Sequence, residues 1–173
     1  MRTMREMYGI RKGAVISAVD LIRGIGTYAG LEVLRVPGAT GLYDTNYEGK
    51  ARAALDALRA NDFVYVHVEA SDEAGHEGDA ALKVRTIENL DNRLVRIIYE
   101  ETRAWREPVA IAVLPDHPTP CAVRTHTADP VPFLIHKPGQ TPDAVTRFDE
   151  ESVRDGKYGI LERDQFIREF LKD

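Results

Sequence analysis

The chain has 173 residues, 43% of them hydrophobic and 29% charged, enough for one domain with a sizeable core. Its net charge of -5 is mild, acids and bases are interspersed, and no basic stripe suits a nucleic acid. No apolar run approaches the roughly 18 residues of a membrane span, Met1 to Met7 is too polar for a signal peptide, and Cys121, the single cysteine, excludes an internal disulfide; a soluble cytoplasmic protein is expected.

Ala14 to Val19 is a short apolar run with β-branched residues and reads as a strand. Asp20 is placed to cap a helix from Leu21 to about Ala29, ended by Gly30. Leu31 to Val36 reads as a second strand, stopped by Pro37-Gly38. A loop rich in Gly, Thr, Asn and Asp follows, to Tyr47. Glu48 to Ala60 carries Ala51, Ala54, Leu55 and Leu58 at helical spacing. The strand Phe63 to Val68 is apolar on both alternations apart from His67, as suits a parallel strand covered on both sides. Asp79 is a plausible cap for a long helix ending near Arg103, with Val84, Ile87, Leu90, Leu94 and Ile98 as its inner face. Lys83, Arg85, Glu88, Asp91, Arg93 and Arg96 would form its solvated face. Strand Val109 to Leu114 follows Pro108, then an apolar run Val131 to Ile135 and a short amphipathic helix from Arg163 to Leu171. Alternating strands and helices imply an α/β fold with a largely parallel sheet.

Ligands in such sheets sit at the carboxyl ends of the strands. Asp72 and His76 follow one predicted strand end; Asp116 and His117 follow another. Asp72 and His76 are spaced i, i+4, so a helical turn would point both the same way. Gly75 between them would permit unusual backbone geometry. Asp116 and His117 are adjacent, stiffened by Pro115 and Pro118, and on a loop could serve two cations or one. His126 lies in a nearby polar loop. Mixed carboxylate and imidazole donors suit zinc or manganese better than calcium. Taken singly, each pair is more simply a helix cap and a surface histidine; two pairs and a third histidine together point to a metal. His67, inside an apolar run, reads as a core histidine or one that supports a ligand. His136 reads as surface and Cys121 as a buried small residue. Glu77 and Asp79 are weaker candidates for supporting a ligand.

Val64-Tyr65-Val66-His67-Val68-Glu69-Ala70-Ser71-Asp72-Glu73-Ala74-Gly75-His76-Glu77-Gly78-Asp79 resembles the signature of archaeal-type cofactor-independent phosphoglycerate mutases, members of the alkaline phosphatase superfamily. The likeness extends over Gly13 to Gly26, Gly38 to Gly41 and Asp44 to Lys50. It continues through Asp116-His117-Pro118-Thr119-Pro120 and His126 to Phe133. It implies a three-layer α/β/α fold and a two-metal site. Asp72, His76 and His126 resemble the ligands of one metal, and Asp116 and His117 two ligands of the other. Manganese, zinc, cobalt or magnesium serve in the family. The implied reaction interconverts 3-phosphoglycerate and 2-phosphoglycerate through a phosphoenzyme.

The family also places a metal-binding Asp and a nucleophilic Ser or Thr ahead of these motifs, with an inserted substrate domain. Residues 1–12 match none of these. The expectation is that residues 1–173 are the C-terminal part of the metal-binding, phosphatase-like domain, with the N-terminal part and the inserted domain absent. Such a chain would be inactive alone, hold at most one metal tightly, and self-associate through an exposed sheet edge. The other readings are a fragment of a different phosphotransferase or phosphatase of the superfamily, or a non-catalytic metal-binding module. Lys12, Arg23 and Lys50 are weak candidates for a phosphate contact.

Overall fold

A computed structural model describes residues 2–172. Its centre is strand β1 (Gly13–Ile16), in which every residue is buried. Ala14, Val15 and Ile16 are apolar on both alternations, so this strand can be covered on both faces. It pairs in parallel with β2 (Glu32–Leu34) on one side and β3 (Phe63–Val66) on the other, with Val15 opposite Val33 and Tyr65. The strand order is β2-β1-β3. The β1-to-β2 and β2-to-β3 crossovers run in opposite directions across the sheet, and right-handed connections therefore put their helices on opposite faces. Those helices are α2 (Asp20–Tyr28) and α3 (Tyr47–Leu58), giving the expected α/β/α layering.

The capping expectations divide. Asp79 accepts from the Leu82 N–H at 2.8 Å and caps the long helix as its position suggests. Asp20 does not cap α2; Val19 holds that position, and Asp20 pairs with Arg23 instead. Gly30 takes the left-handed conformation (φ 79°) that follows the end of α2. Helix α1 (Met4–Tyr8) is an element the sequence reading did not anticipate; Thr3 and Glu6 form a capping box at its start.

Helix α4 (Ala70–Glu77) follows β3, and α5 (Ala80–Leu90) follows α4. A π-helical turn over Asp91–Val95 joins α5 to α6 (Arg96–Thr102). This turn corrects the expected inner face. Leu94 is buried, while Val84 and Ile87 are 55% and 51% exposed. A π turn inserts an extra residue and rotates everything after it by about 100° relative to what precedes it. Only the second half of the stripe therefore faces inward. There Leu94, with Leu90, Val95, Ile97 and Ile98, packs against Tyr47, Ala51 and Ala70. The supposed solvated face also contains an exception: Lys83 turns inward and donates to the Thr119 carbonyl at 2.6 Å.

Two further expectations are revised. The strand at residues 63–68 is not fully covered, for Tyr65 is exposed and Phe63, Val64 and Val66 are half-buried. The fourth strand does not extend the parallel sheet. It is β4 (Ile111–Val113), paired antiparallel with β5 (Leu134–His136) in a separate two-stranded ribbon. The C-terminal helix is α7 (Gln165–Leu171). Among the described residues no helix is long and apolar enough to cross a membrane.

Candidate metal centre

The carboxyl ends of β1 and β3 carry Ser17 and His67, and α4 begins three residues beyond His67. Asp72 and His76 are one helical turn apart on α4 and do point the same way: His76 Nε2 lies 3.4 Å from Asp72 Oδ2. The Gly75 between them is helical, so its role is not the unusual backbone first inferred. A Cβ there would run into the Thr119 carbonyl. Gly75 is what lets the 116–126 loop lie directly on α4.

That loop delivers the remaining candidates. His126 Nε2 sits 3.1 Å from His76 Nε2 and 3.5 Å from Asp72 Oδ1. Asp72, His76 and His126 each offer one donor atom, all within 4.8 Å of one another. Metal–donor bonds of about 2.0–2.2 Å imply donor separations of roughly 3–3.5 Å, so the set fits one divalent cation. The tautomer fits as well. His76 Nδ1 lies 3.0 Å from the Arg124 carbonyl, which can only accept, so Nδ1 carries the proton and Nε2 is left as the donor to a cation. Arg124 has φ 57°, a left-handed conformation that turns its carbonyl to this use.

Asp116 and His117 adjoin the same cluster but address it differently. The His117 ring stands 3.7 Å, centroid to centroid, from that of His126, and its Nδ1 is 4.0 Å from Asp72 Oδ1. Asp116 meets the other ring nitrogen of His117 and also approaches His67. Its Oδ2 lies 3.5 Å from His117 Nε2 and 3.7 Å from His67 Nε2. All five candidate ligands thus converge, as a set of three and an adjoining pair.

Sequence reasoning missed the groups that hold this cluster. The buried Thr119 hydroxyl donates to Asp72 Oδ1 and lies 3.3 Å from His117 Nδ1. Nothing in the sequence marks it. Glu69 is buried; its Oε1 lies 3.0 Å from His67 Nδ1 and accepts from the Ser17 hydroxyl at 3.3 Å. A carboxylate flanked by Val68 and Ala70, just past a strand, was the available sign of a buried acid. Lys50 is wholly buried and donates to the His67 carbonyl at 3.0 Å, so it is no surface contact for phosphate. Arg23 is likewise engaged, donating to the Ser17 carbonyl and to Asp20. Cys121 is only half-buried, and His136 packs edge-on against Tyr99.

The charges shift one another. Burial pushes the His67 imidazolium down, but the carboxylates of Asp116 and Glu69 on either side outweigh it and raise the pKa to about 9. His67 in turn, helped by the charge of His117 and opposed by burial, lowers Asp116 to about 2. Burial pulls the Lys50 ammonium down, and Glu69 opposes this only in part.

A family model described as the metalloenzyme superfamily matches residues 1–164. The chain belongs to the metalloenzyme superfamily. It is 54% identical over 172 residues to a 2,3-bisphosphoglycerate-independent phosphoglycerate mutase of Methanosarcina acetivorans, covering 99% of this chain and 43% of that protein. A probable 2,3-bisphosphoglycerate-independent phosphoglycerate mutase of Geobacter sulfurreducens is 50% identical over 179 residues, covering 100% and 43%. Among solved structures, the PH0037 protein of Pyrococcus horikoshii matches with a TM-score of 0.82 and 37% identity, over 91% of this chain and 47% of that one. The chain therefore spans about two fifths of the length of the mutases it matches. A superfamily defined by metal use agrees with a donor set built from an acid and two imidazoles.

The raised His67 pKa has a readable consequence for the metal-stripped chain. Folding raises this pKa above its ordinary 6.5, so the folded state binds the proton more tightly. The stabilisation is complete below pH 6.5 and disappears as pH rises through about 9. In chelator-treated protein, urea midpoints of the unsubstituted chain and His67→Leu should differ most below pH 6.5 and converge above 9. A constant gap across that window contradicts the assignment.

Proposed function

We propose that this chain is the metal-binding part of a phosphoglycerate mutase that interconverts 3-phosphoglycerate and 2-phosphoglycerate through a phosphoenzyme. The observation that carries the reading is the convergence of Asp72, His76 and His126 in a chain 54% identical to a protein of that name. Manganese, zinc, cobalt or magnesium is the proposed cation. When bound, such a cation supplies Lewis-acid stabilisation to a phosphoryl group. The chain's own residues hold and orient: Asp72 and the two histidines bind, Thr119 fixes the Asp72 carboxylate, and Arg124 fixes the His76 ring. In this reading residues 1–173 are the C-terminal part of the phosphatase-like domain. The same reading puts the Ser or Thr nucleophile and the substrate domain outside residues 1–173.

The decisive experiment is a chimera in which residues 1–173 replace the matching part of the Methanosarcina acetivorans relative. It should interconvert the two phosphoglycerates, whereas residues 1–173 alone should not. Asp72→Ala should lower the chimera's activity by at least ~100-fold, since a first-rank ligand matters no less than the groups that support ligands. An active 173-residue chain, or an inactive chimera that binds metal and folds normally, counts against the reading.

The cation stoichiometry follows from the unequal ligand sets. Three protein donors plus water make a workable site, whereas Asp116 and His117 alone make a weak one. Metal analysis after dialysis should find one tightly held ion per chain, lost on Asp72→Ala; two retained ions would refute this.

Self-association is the third expectation. The outer edges of β2 and β3 are unpaired among the described residues. On α2, Leu21, Ile25 and Tyr28 form an exposed apolar face, Leu21 and Tyr28 at 69% and 73%. Open edges beside apolar surface favour pairing between copies. Light scattering at micromolar concentration should show dimers or larger species, and a clean monomer would speak against it.

A further inference from the structure

We propose that His67, gripped by Glu69, is a positioning residue that aims Asp116 and so sets the affinity of the weaker cation position formed by Asp116 and His117. This rests on the reading of Asp116 and His117 as ligands of a second cation.

Asp116 needs an external anchor. It lies beyond β4, and β4 has no ladder to β3, so no backbone pairing fixes its distance from the main sheet. Its side chain is 55% exposed. Among the described residues its Oδ1 accepts only from the neighbouring His117 N–H, at 3.1 Å, a contact that travels with the loop. A short exposed side chain held only by its own loop retains rotamer freedom that a cation must freeze on binding. The partner that comes from the main sheet is His67, whose Nε2 faces Asp116 Oδ2 at 3.7 Å.

The ring of His67 is itself fixed from several sides. Nδ1 lies 3.0 Å from Glu69 Oε1, and because a carboxylate only accepts, Nδ1 is the donor. Glu69 Oε1 also takes the Ser17 hydroxyl from the end of β1, at 3.3 Å. Glu69 Oε2 is buried with no hydrogen-bond partner and lies 3.8 Å from Lys50 Nζ. Lys50, on α3, is fully buried and donates at 3.0 Å to the carbonyl of His67 itself. The His67 N–H donates to the Ile16 carbonyl at 2.8 Å, extending the β1–β3 ladder by one residue.

Groups on β1, α3 and the β3–α4 junction therefore converge on one imidazole. Burying an ammonium and a carboxylate is costly, and apolar side chains of the same volume would fill that space at least as stably. What apolar filling would not provide is a rigid ring with one nitrogen aimed out of the sheet at Asp116. A carboxylate that orients an imidazole, which in turn orients a ligand, is an arrangement whose removal weakens metal affinity by about 10–100-fold.

Cobalt(II) titration of the 173-residue chain tests this, followed by calorimetry and by the visible absorption of the bound ion. Two transitions are expected, a tight one from Asp72, His76 and His126 and a weaker one. His67→Leu should weaken the second by about 10–100-fold and leave the first unchanged. Glu69→Gln should do the same to a smaller degree. His67→Gln, whose amide N–H can still reach Asp116, should recover part of the loss. Asp116→Ala is the reference: it should abolish the second transition.

If Asp116→Ala abolishes that transition and His67→Leu leaves it unchanged, the positioning role is wrong and the two-cation reading stands. If Asp116→Ala changes nothing, or if the chain shows no second transition, the two-cation reading fails and takes the positioning role with it. Equal weakening of both transitions by His67→Leu would mean a general loss of structure and would overturn the proposal. So would a second-site cobalt spectrum showing two imidazole nitrogens, because His67 would then be a ligand.

Discussion

The site depends on one close approach, that of the 116–126 loop to helix α4. The loop carries three of the five candidate ligands, yet the strand ahead of it makes no ladder with the sheet on which the others are built. Contact with α4 is what fixes the distance between the two halves. Gly75 removes the side chain that would keep the backbones apart. Lys83 then reaches over from α5 to the Thr119 carbonyl, and the Thr119 hydroxyl closes on Asp72. A side chain at position 75 would displace Thr119, and with it His117 and His126, without touching any ligand directly.

The same docking explains why the loop has an unusual backbone. Arg124 adopts a left-handed conformation that a non-glycine residue rarely takes, and its carbonyl meets His76 Nδ1. The conformational cost sits in the loop and the benefit in the orientation of a ring on α4. Strain of this kind persists where surrounding contacts over-determine it. Here the close packing at Gly75 and the Thr119 hydrogen bonds supply those contacts.

What was legible in the sequence was what is local. Asp72 and His76 share a helical face because i and i+4 always do. Asp79 caps because its side chain reaches an N–H three residues on. The inward stripe failed beyond a single helical segment: the π turn at Asp91–Val95 rotates the face, so Val84 and Ile87 part company with Leu94. The partner of β4 was not legible because strand pairing is non-local, and an apolar run suits a ribbon as well as a sheet centre. Lys50 read as a charge like any other, since only the converging fold shows that its ammonium is buried against Glu69. The candidate ligands were grouped together because a family resemblance supplied the grouping that residue spacing alone left open.

The loop is fastened by hydrogen bonds and ion pairs rather than by an apolar core. The main cluster is built on Tyr47, Ala51, Ala70 and Leu94, none of which belongs to it. The loop therefore lies at the low end of the molecule's range of local stabilities, able to detach while the sheet stays folded. A cation bound across α4 and the loop bonds only when both are docked, so by mass action it stabilises the docked form over the detached one. A metal held there would be a latch on the loop, and occupancy of the centre and order of the loop would become one equilibrium.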